Sequence, residues 1–404
     1  MKLLVMSHAA DRTGAPRSAL LLAREWAAMG LDVEILLRRD GVLRPAFEAV
    51  APTAIYRGRP EFGPGDVLPL LRDYDPGMAL KCLRNPDRPY CLSRNERRDA
   101  AALAARYRAW GAQAIYANTS HCADMIEPLG LDLPVLTHVR EMAPSLRALD
   151  RRRRAHLLKG DGPVLAVSER GRADLAEIGV AASRLGVEPP AAAVPDLQAL
   201  ERQRDRVEQQ FGLAPGDRLV VGAGTVGPRK GPDLFIESLG RAIETAPAGE
   251  RIAGLWLGEG EWLDPCRDRI KVAGLGDAVS FPGAMADIAP VLYRADLLLC
   301  TSREDPYPRV VIEAALAGTP SVAFAATGGA EEFITRFDAG SLVPAFDTGA
   351  MAAAITTVLK RPHRCDAGLA ARVAAERSVE RSARRILDRL QMLTGEANAT
   401  SADS

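Results

Sequence analysis

Residues 2–37 read KLLVMSHAADRTGAPRSALLLAREWAAMGLDVEILL, and this stretch decides the fold class. Two short apolar runs, Lys2–Met6 and Val33–Leu37, flank a segment, Arg17–Met29, whose apolar residues recur at helical spacing and which Gly30 closes as a residue suited to the position just past a helix. A strand, a crossover helix and a second strand make one βαβ unit, which requires parallel pairing. The same alternation continues outward. Ala114–Ala117, Val135–Val139 and Val164–Val167 are the further strands expected in the first half. A second series follows with Arg218–Ala223, Ile252–Leu257, Val279–Phe281, Leu297–Thr301 and Ser321–Phe324. Segments of helical period separate them, so the class is α/β with two successive parallel-sheet domains.

A proline-bearing stretch, with Pro189, Pro190, Pro195 and Pro215, interrupts the two series and reads as an interdomain connection over residues 188–216. The expected organisation is a first domain over 1–187, that connection, a second domain over 217–362, a terminal helical segment over 363–393 and a polar, disordered tail over 394–404. Ala367–Leu393 lacks proline and has glycine only at Gly368, so one long arginine-rich amphipathic helix is expected there.

The 404 residues carry 52 basic and 52 acidic side chains, which leaves no uniform field to attract nucleic acid or an anionic membrane. A polyanionic partner must therefore be held locally. The six cysteines, at 82, 91, 122, 266, 300 and 365, include no C-x-x-C pair, so neither a disulfide framework nor a zinc ribbon is indicated. No apolar run approaches the ~18 residues of a membrane span, and the apolar start is too short for a secretion signal. The expected location is cytoplasmic, and Asn398 in its N-x-T is then no glycosylation acceptor.

Gly222, Gly224 and Gly227 spell G-x-G-x-x-G after an expected strand, as a dinucleotide fingerprint would. Pro228 and Pro232 oppose that reading, because they push the helix start back to about residue 232. No acidic strand end follows about 20 residues on. What remains is a glycine-rich loop with two adjacent cations, Arg229 and Lys230, at a helix mouth whose free amides favour an anion. A compact ammonium beside a planar guanidinium suits a diphosphate without a metal. Taken alone, the same loop is equally a solvated turn with two surface charges. The first domain offers a counterpart: Thr13, Gly14, Ala15 and Pro16 lead from the first strand into the helix expected from Arg17, and Gly14 permits close approach of a ligand to the backbone.

After the strand Leu297–Thr301, Asp305 stands at the strand's carboxyl end, where open α/β sheets bind ligands. A helix expected from Arg309 to Leu316 follows, with Glu313 on a largely apolar surface. A carboxylate so placed needs a partner, and a vicinal diol such as a ribose offers two donors. The amides of Arg309 and Val310, just past Pro308, point out of this helix mouth toward any phosphate. Pairing of Glu313 with an arginine is the other way to satisfy it.

From Asp305 to Glu313 the residues resemble the E-x7-E signature of retaining glycosyltransferases of the GT-B fold, glycosyltransferase family 4, with aspartate in place of the first glutamate. The GAP segment at Gly14, PRKG at Pro228–Gly231, GEG at Gly258–Gly260, FPG at Phe281–Gly283 and TGG at Thr327–Gly329 fall in that family's order. No arginine stands a few residues before the PRKG lysine, which throws more of the phosphate charge onto Arg229 and Lys230.

The resemblance implies two Rossmann-like domains facing across a cleft, with a final helix crossing back to the first. It implies a nucleotide-sugar donor, UDP- or GDP-linked, held mainly by the second domain, and a glycan or lipid-linked acceptor held by the first. By the same resemblance Glu313 holds the ribose, Arg229 and Lys230 the diphosphate, Gly14 approaches the phosphates, Asp305 contacts the donor sugar, and His138 lies beside the transferred sugar. No metal or cofactor is expected: Asp73 and Asp75 form a D-x-D, but Pro76 and Gly77 make it a turn. The run Arg151–Arg154, with Arg147 and Lys159, suggests either a solvated helix face or peripheral contact with anionic lipid. The basic stretch Arg84–Arg98 is assigned to an acceptor-side loop. A sugar-nucleotide epimerase and a non-catalytic binding subunit of the same architecture are the alternative functions.

Overall fold

The computed structural model describes residues 1–56, 94–360 and 367–395. The Asp73/Asp75 turn, most of the basic stretch from Arg84, Cys82, Cys91 and Cys365 and the tail from residue 396 lie outside the described residues. The chain divides into two compact units, Met1–Pro189 with Ser382–Ser404, and Pro190–Arg381.

The first unit is built on seven strands: β1 (Lys2–Ser7), β2 (Asp32–Leu37), β3 (Thr53–Ile55), β4 (Ala114–Ala117), β5 (Val135–Val139), β6 (Val164–Ala166) and β7 (Leu185–Val187). They pair in parallel in the order β3-β2-β1-β4-β5-β6-β7. Leu3 to Met6 of β1 are fully buried, as a central strand covered by helices on both faces requires. The helix Gly14–Ala28 packs Trp26 edge-on against Tyr116 of β4, with ring centroids 4.9 Å apart.

The second unit has six strands: β8 (Arg218–Ala223), β9 (Ile252–Leu257), β10 (Val279–Gly283), β11 (Leu297–Cys300), β12 (Ser321–Phe324) and β13 (Gly340–Val343). Their parallel order is β10-β9-β8-β11-β12-β13. Phe235 and Trp256 anchor its core, 5.4 Å apart and edge to face. Gly222 belongs to this core rather than to a dinucleotide turn, since a Cβ there would lie 2.5 Å from the Trp256 ring.

In each sheet the order reverses beside the first strand, between β1 and β4 and between β8 and β11. Ligands of open α/β sheets bind at such points, outside the carboxyl ends of the strands.

Three expectations are corrected. The first helix begins at Gly14, three residues before Arg17, because Arg17 N already donates to Thr13 O at 3.3 Å. The terminal helix is two, Ala367–Arg377 and Val379–Thr394. Ser378 breaks it by pairing with Ala192 in a parallel bridge, and its Oγ accepts from Arg381 N at 3.4 Å. The strands β3, β7 and β13 were not expected; with three or four residues each and no fully apolar run, they lie at or near sheet edges.

Candidate functional site

At the reversal point of the second sheet, the segment after β8 forms a short turn of 3-10 helix, Pro228–Lys230, and reaches Gly231. Gly231 is left-handed at φ 65°, and a Cβ there would lie 2.2 Å from the carbonyl oxygen of Thr301, so only glycine brings this loop against the end of β11. Thr301 Oγ1 donates to Gly231 O at 2.8 Å and Arg303 N to Arg229 O at 2.8 Å, which fixes the two segments together.

Lys230 and Asp305 meet in this arrangement. Lys230 Nζ donates to Asp305 Oδ2, and their side chains are only 15% and 8% exposed. Arg229 lies farther out, 52% exposed, with Nη1 donating to Glu304 O at 2.9 Å and 3.8 Å from Asp305 Oδ2. The acid is anchored on all sides. Asp305 Oδ1 accepts from Tyr307 N at 3.2 Å, its backbone N donates to Thr327 O at 2.9 Å, and its carbonyl accepts from Gly329 N at 3.1 Å. Gly328, at φ 136°, would place a Cβ 1.8 Å from Asp305 O, so this bridge also depends on a glycine.

The helix mouth expected to serve the phosphate behind Lys230 is occupied. Asp233 of the helix Pro232–Glu244 takes both ends of the Arg303 guanidinium, at 2.9 and 2.6 Å. Burial pushes the Asp233 carboxyl up, but Arg303 and the first amides of its own helix more than offset this and hold it below the ordinary carboxylate range. The second mouth differs. The helix Arg309–Leu316 begins after Pro308 with no acidic residue in its first turn, and the amides of Arg309 and Val310 have no intrahelical acceptor. Glu313, one turn on, accepts from Arg309 Nη2 at 2.7 Å while keeping 19% of its side chain exposed. Thus the arginine pairing of Glu313 foreseen as the alternative is present, and one carboxylate oxygen lies outside that bond. Arg309 Nε and Nη1 are buried without a hydrogen-bond partner among the described residues.

In the first unit Gly14 opens the first helix, and a Cβ at that position would meet nothing within 4 Å. Neither packing nor a left-handed backbone demands glycine here. His138 departs from expectation. Its ring is 1% exposed, with Nδ1 2.8 Å from Tyr116 Oη and Nε2 2.8 Å from the Glu188 carbonyl. The carbonyl can only accept, so Nε2 carries the hydrogen and Nδ1 takes one from Tyr116. Burial first, then Arg140, pushes its pKa well down. A ring so enclosed holds the sheet together and presents neither nitrogen to a substrate.

The polar groups that do gather at this sheet's reversal point are ones the sequence did not single out. His8 follows β1, His121 sits in the turn Ser120–Cys122 after β4, and Glu141 follows β5. His121 Nδ1 lies 3.0 Å from Glu141 Oε1, and the His8 and His121 rings are 5.8 Å apart. Their sequence spacing carries no signal; each stands just past a strand end, and only the order β1-β4-β5 brings them together. Two members of the arginine run pair with acids of the first unit: Arg153 forks onto Asp124 at 3.1 and 2.7 Å, and Arg152 lies 3.3 Å from Glu127, while Arg154 and Lys159 are exposed. Among the described residues no helix is long and apolar enough to cross a membrane.

Residues 203–373 match the sequence model of the family described as glycosyl transferases group 1. That stretch holds Arg229, Lys230, Asp305, Arg309, Val310 and Glu313. Over 181 residues the chain is 31% identical to D-inositol 3-phosphate glycosyltransferase of Mycobacterium marinum, covering 43% of this chain and 37% of that protein. Over 126 residues it is 34% identical to mannosylfructose-phosphate synthase of Agrobacterium fabrum, 30% of this chain and 27% of the other. These matches span well under half the length of the relatives. The fold is shared over nearly the whole chain. Anabaena Alr3699/HepE in complex with UDP and glucose superposes with a TM-score of 0.76 at 20% identity, covering 97% of this chain and 100% of that one. Sucrose-phosphate synthase from Thermosynechococcus elongatus does so with 0.73 at 18%, covering 98% and 99%. The two Rossmann-like domains expected of a GT-B protein are therefore present.

Proposed function

We propose that this protein is a retaining glycosyltransferase that moves a sugar from a nucleoside-diphosphate donor, held on the second unit, to a hydroxyl of a glycan or lipid-linked acceptor held on the first. The observation that carries the reading is the constellation of Lys230, Arg229, Asp305 and Glu313 at the reversal point of the second sheet, inside the stretch that matches the family model. Lys230 and the more exposed Arg229 supply positive charge for the leaving diphosphate, joined by the open amides of Arg309 and Val310. Glu313, oriented by Arg309, has an oxygen left for the ribose hydroxyls. Asp305 contacts the donor sugar, and Gly14 leaves room for phosphate at the first helix mouth. UDP is the favoured carrier, since Alr3699/HepE is described with UDP and with UDP-glucose. With protein cations neutralising the leaving group, transfer requires no divalent ion.

The test is calorimetry with UDP and with a panel of UDP- and GDP-sugars in the presence of chelator. Glu313→Gln keeps the side-chain volume and a carbonyl for Arg309, yet loses a charged acceptor for two hydroxyls. It should weaken donor binding at least tenfold while the variant still folds, with a lowered melting temperature because Arg309, 13% exposed, loses its counter-charge. Equal affinity in the variant, or no binding of any panel member by the unaltered chain, refutes this site. Transfer with retained anomeric configuration, followed by NMR, separates the reading from an epimerase, which would alter the donor sugar alone.

A further inference from the structure

The loop that carries Arg229 and Lys230 is held largely from outside itself. Within it, Lys230 N donates to Gly227 O at 3.1 Å and Gly231 N to Pro228 O at 3.2 Å, while Pro228 and Pro232 have no N–H to contribute. The segment after β11 supplies more. Arg303 Nη1 donates to Pro228 O at 2.8 Å and Arg303 N to Arg229 O at 2.8 Å. The single hydroxyl hydrogen of Thr301 serves Gly231 O at 2.8 Å and Lys230 O at 3.4 Å. Four successive carbonyls, from Pro228 to Gly231, are thus met by two residues. For an anion this matters, because a carbonyl oxygen repels phosphate where an ammonium attracts it. With its carbonyls engaged by Thr301 and Arg303, the loop offers a phosphate its cations instead of its oxygens.

Arg303 does a second thing with the same group. Its guanidinium forks onto Asp233 at 2.9 and 2.6 Å, with 35% of the arginine side chain and 12% of the acid exposed. One planar cation therefore spans a loop carbonyl and a carboxylate in a fixed geometry, which an ammonium on a flexible stem does not reproduce. It also sets a positive charge against the acid that stands at the mouth of the next helix.

We propose that Arg303 is a positioning residue for the donor diphosphate: it turns the carbonyls of Pro228 and Arg229 toward β11 and so keeps Lys230 and Arg229 presented to the leaving phosphates, without touching the donor itself. This rests on the donor-site reading above. Asp305, two residues on, bonds the ammonium of Lys230, so the short segment Thr301–Asp305 governs both the backbone of the loop and the side chain of its lysine.

The experiment measures UDP affinity by calorimetry and uridine affinity by ligand-observed NMR. It compares the unaltered chain with Arg303→Met, Arg303→Lys, Asp233→Asn, Lys230→Ala, Arg303→Met joined to Asp233→Asn, and Arg303→Met joined to Lys230→Ala. Arg303→Met keeps a stem of similar length and loses every donor. It should weaken UDP by about tenfold or more, while uridine, which has no phosphate, stays within about twofold. The loss should persist when Asp233→Asn removes the unpaired acid as well. In the Lys230→Ala chain the same substitution should cost about threefold at most, because the arginine acts through the lysine. Arg303→Lys, which keeps a charge for Asp233 but not the fixed span, should lose about threefold on UDP alone, and it carries the test if Arg303→Met does not fold.

Unchanged UDP affinity in the Arg303 variants overturns the proposal. So does an equal loss for UDP and uridine, which would make the arginine a brace for the fold and nothing more. A loss that vanishes with Asp233→Asn assigns the effect to the charge of that acid, and a loss undiminished in Lys230→Ala assigns it to a direct contact between Arg303 and phosphate; either result overturns the proposal and leaves the donor site standing. Failure of the unaltered chain to bind UDP, or unchanged UDP affinity in Lys230→Ala, takes down the donor site and this proposal with it.

Discussion

Lys230 and Asp305 hold one another, and this pairing has a measurable consequence. A diphosphate reaching Lys230 must compete with a carboxylate already bonded to it and must accept that carboxylate as a near neighbour of like charge. Asp305→Asn removes both penalties while keeping a group that can accept from Tyr307 N. UDP should therefore bind the variant about three- to tenfold more tightly, roughly 1 kcal/mol, while the proposed sugar transfer falls, Asp305 being the acid that the proposal assigns to the donor sugar. Calorimetry with UDP alone decides it, and weaker binding would show that the acid assists the phosphate site rather than restrains it. These residues were legible in the sequence because each lies within a short motif at the end of one strand. Arg303 gripping Asp233 was not, nor was His121 against Glu141, since each pairing joins segments that only the strand order makes neighbours.

The elements were legible where a strand is central and its run is apolar. Ala114–Ala117, Val135–Val139, Arg218–Ala223, Ile252–Leu257 and Ser321–Phe324 have the bounds read from the sequence. Thr53–Ile55, Leu185–Val187 and Gly340–Val343 escaped because peripheral strands are short and half exposed, which dilutes the apolar signal. Ser378 escaped because a lone serine inside a helical pattern reveals its break only through a distant partner, Ala192. One helix carries a pH dependence of its own. His156, on the helix Arg151–Lys159, places Nε2 2.9 Å from Thr137 Oγ1 of β5, and burial first, with Arg184 second, pushes its pKa down to about 4. A base with a depressed folded pKa contributes stability that is present above its unfolded value near 6.5 and is lost as pH falls toward 4, because the unfolded chain binds the proton first. His8 acts in the same direction over the same window. The melting temperature should decline from pH 6.5 to pH 4, and His156→Gln, which keeps a partner for Thr137 without titrating, should flatten that decline. An unchanged slope in the variant would show that the helix tolerates the charge.

At the scale of the whole chain, the first unit is completed by the last segment of sequence. The polypeptide leaves this unit after Pro189 and returns at Ser382, and Glu188, 1% exposed, joins the two passages. Its carboxylate accepts from Ser382 Oγ at 2.9 Å and from Arg385 Nε and Nη2 at 3.0 and 2.7 Å. Trp26, buried on the first helix, donates its indole N–H to Ala383 O at 2.9 Å. The helix Val379–Thr394 thus contributes both an apolar face and the partners of an otherwise isolated buried charge. Breaking a buried pair by removing one member costs about 3–5 kcal/mol when the survivor stays dry; Arg385 is 37% exposed and can rehydrate, which places Glu188→Gln toward about 2–3 kcal/mol. The loss should be confined to the unit that the contact closes. Hydrogen exchange in Glu188→Gln should quicken in peptides covering residues 14–28 and 382–394 and in β1, β4 and β5, while β8, β9, β11 and β12 keep their protection. Equal loss in the strands of both units would mean that the two sheets unfold as one cooperative body and that Glu188 stabilises the whole chain rather than its first unit.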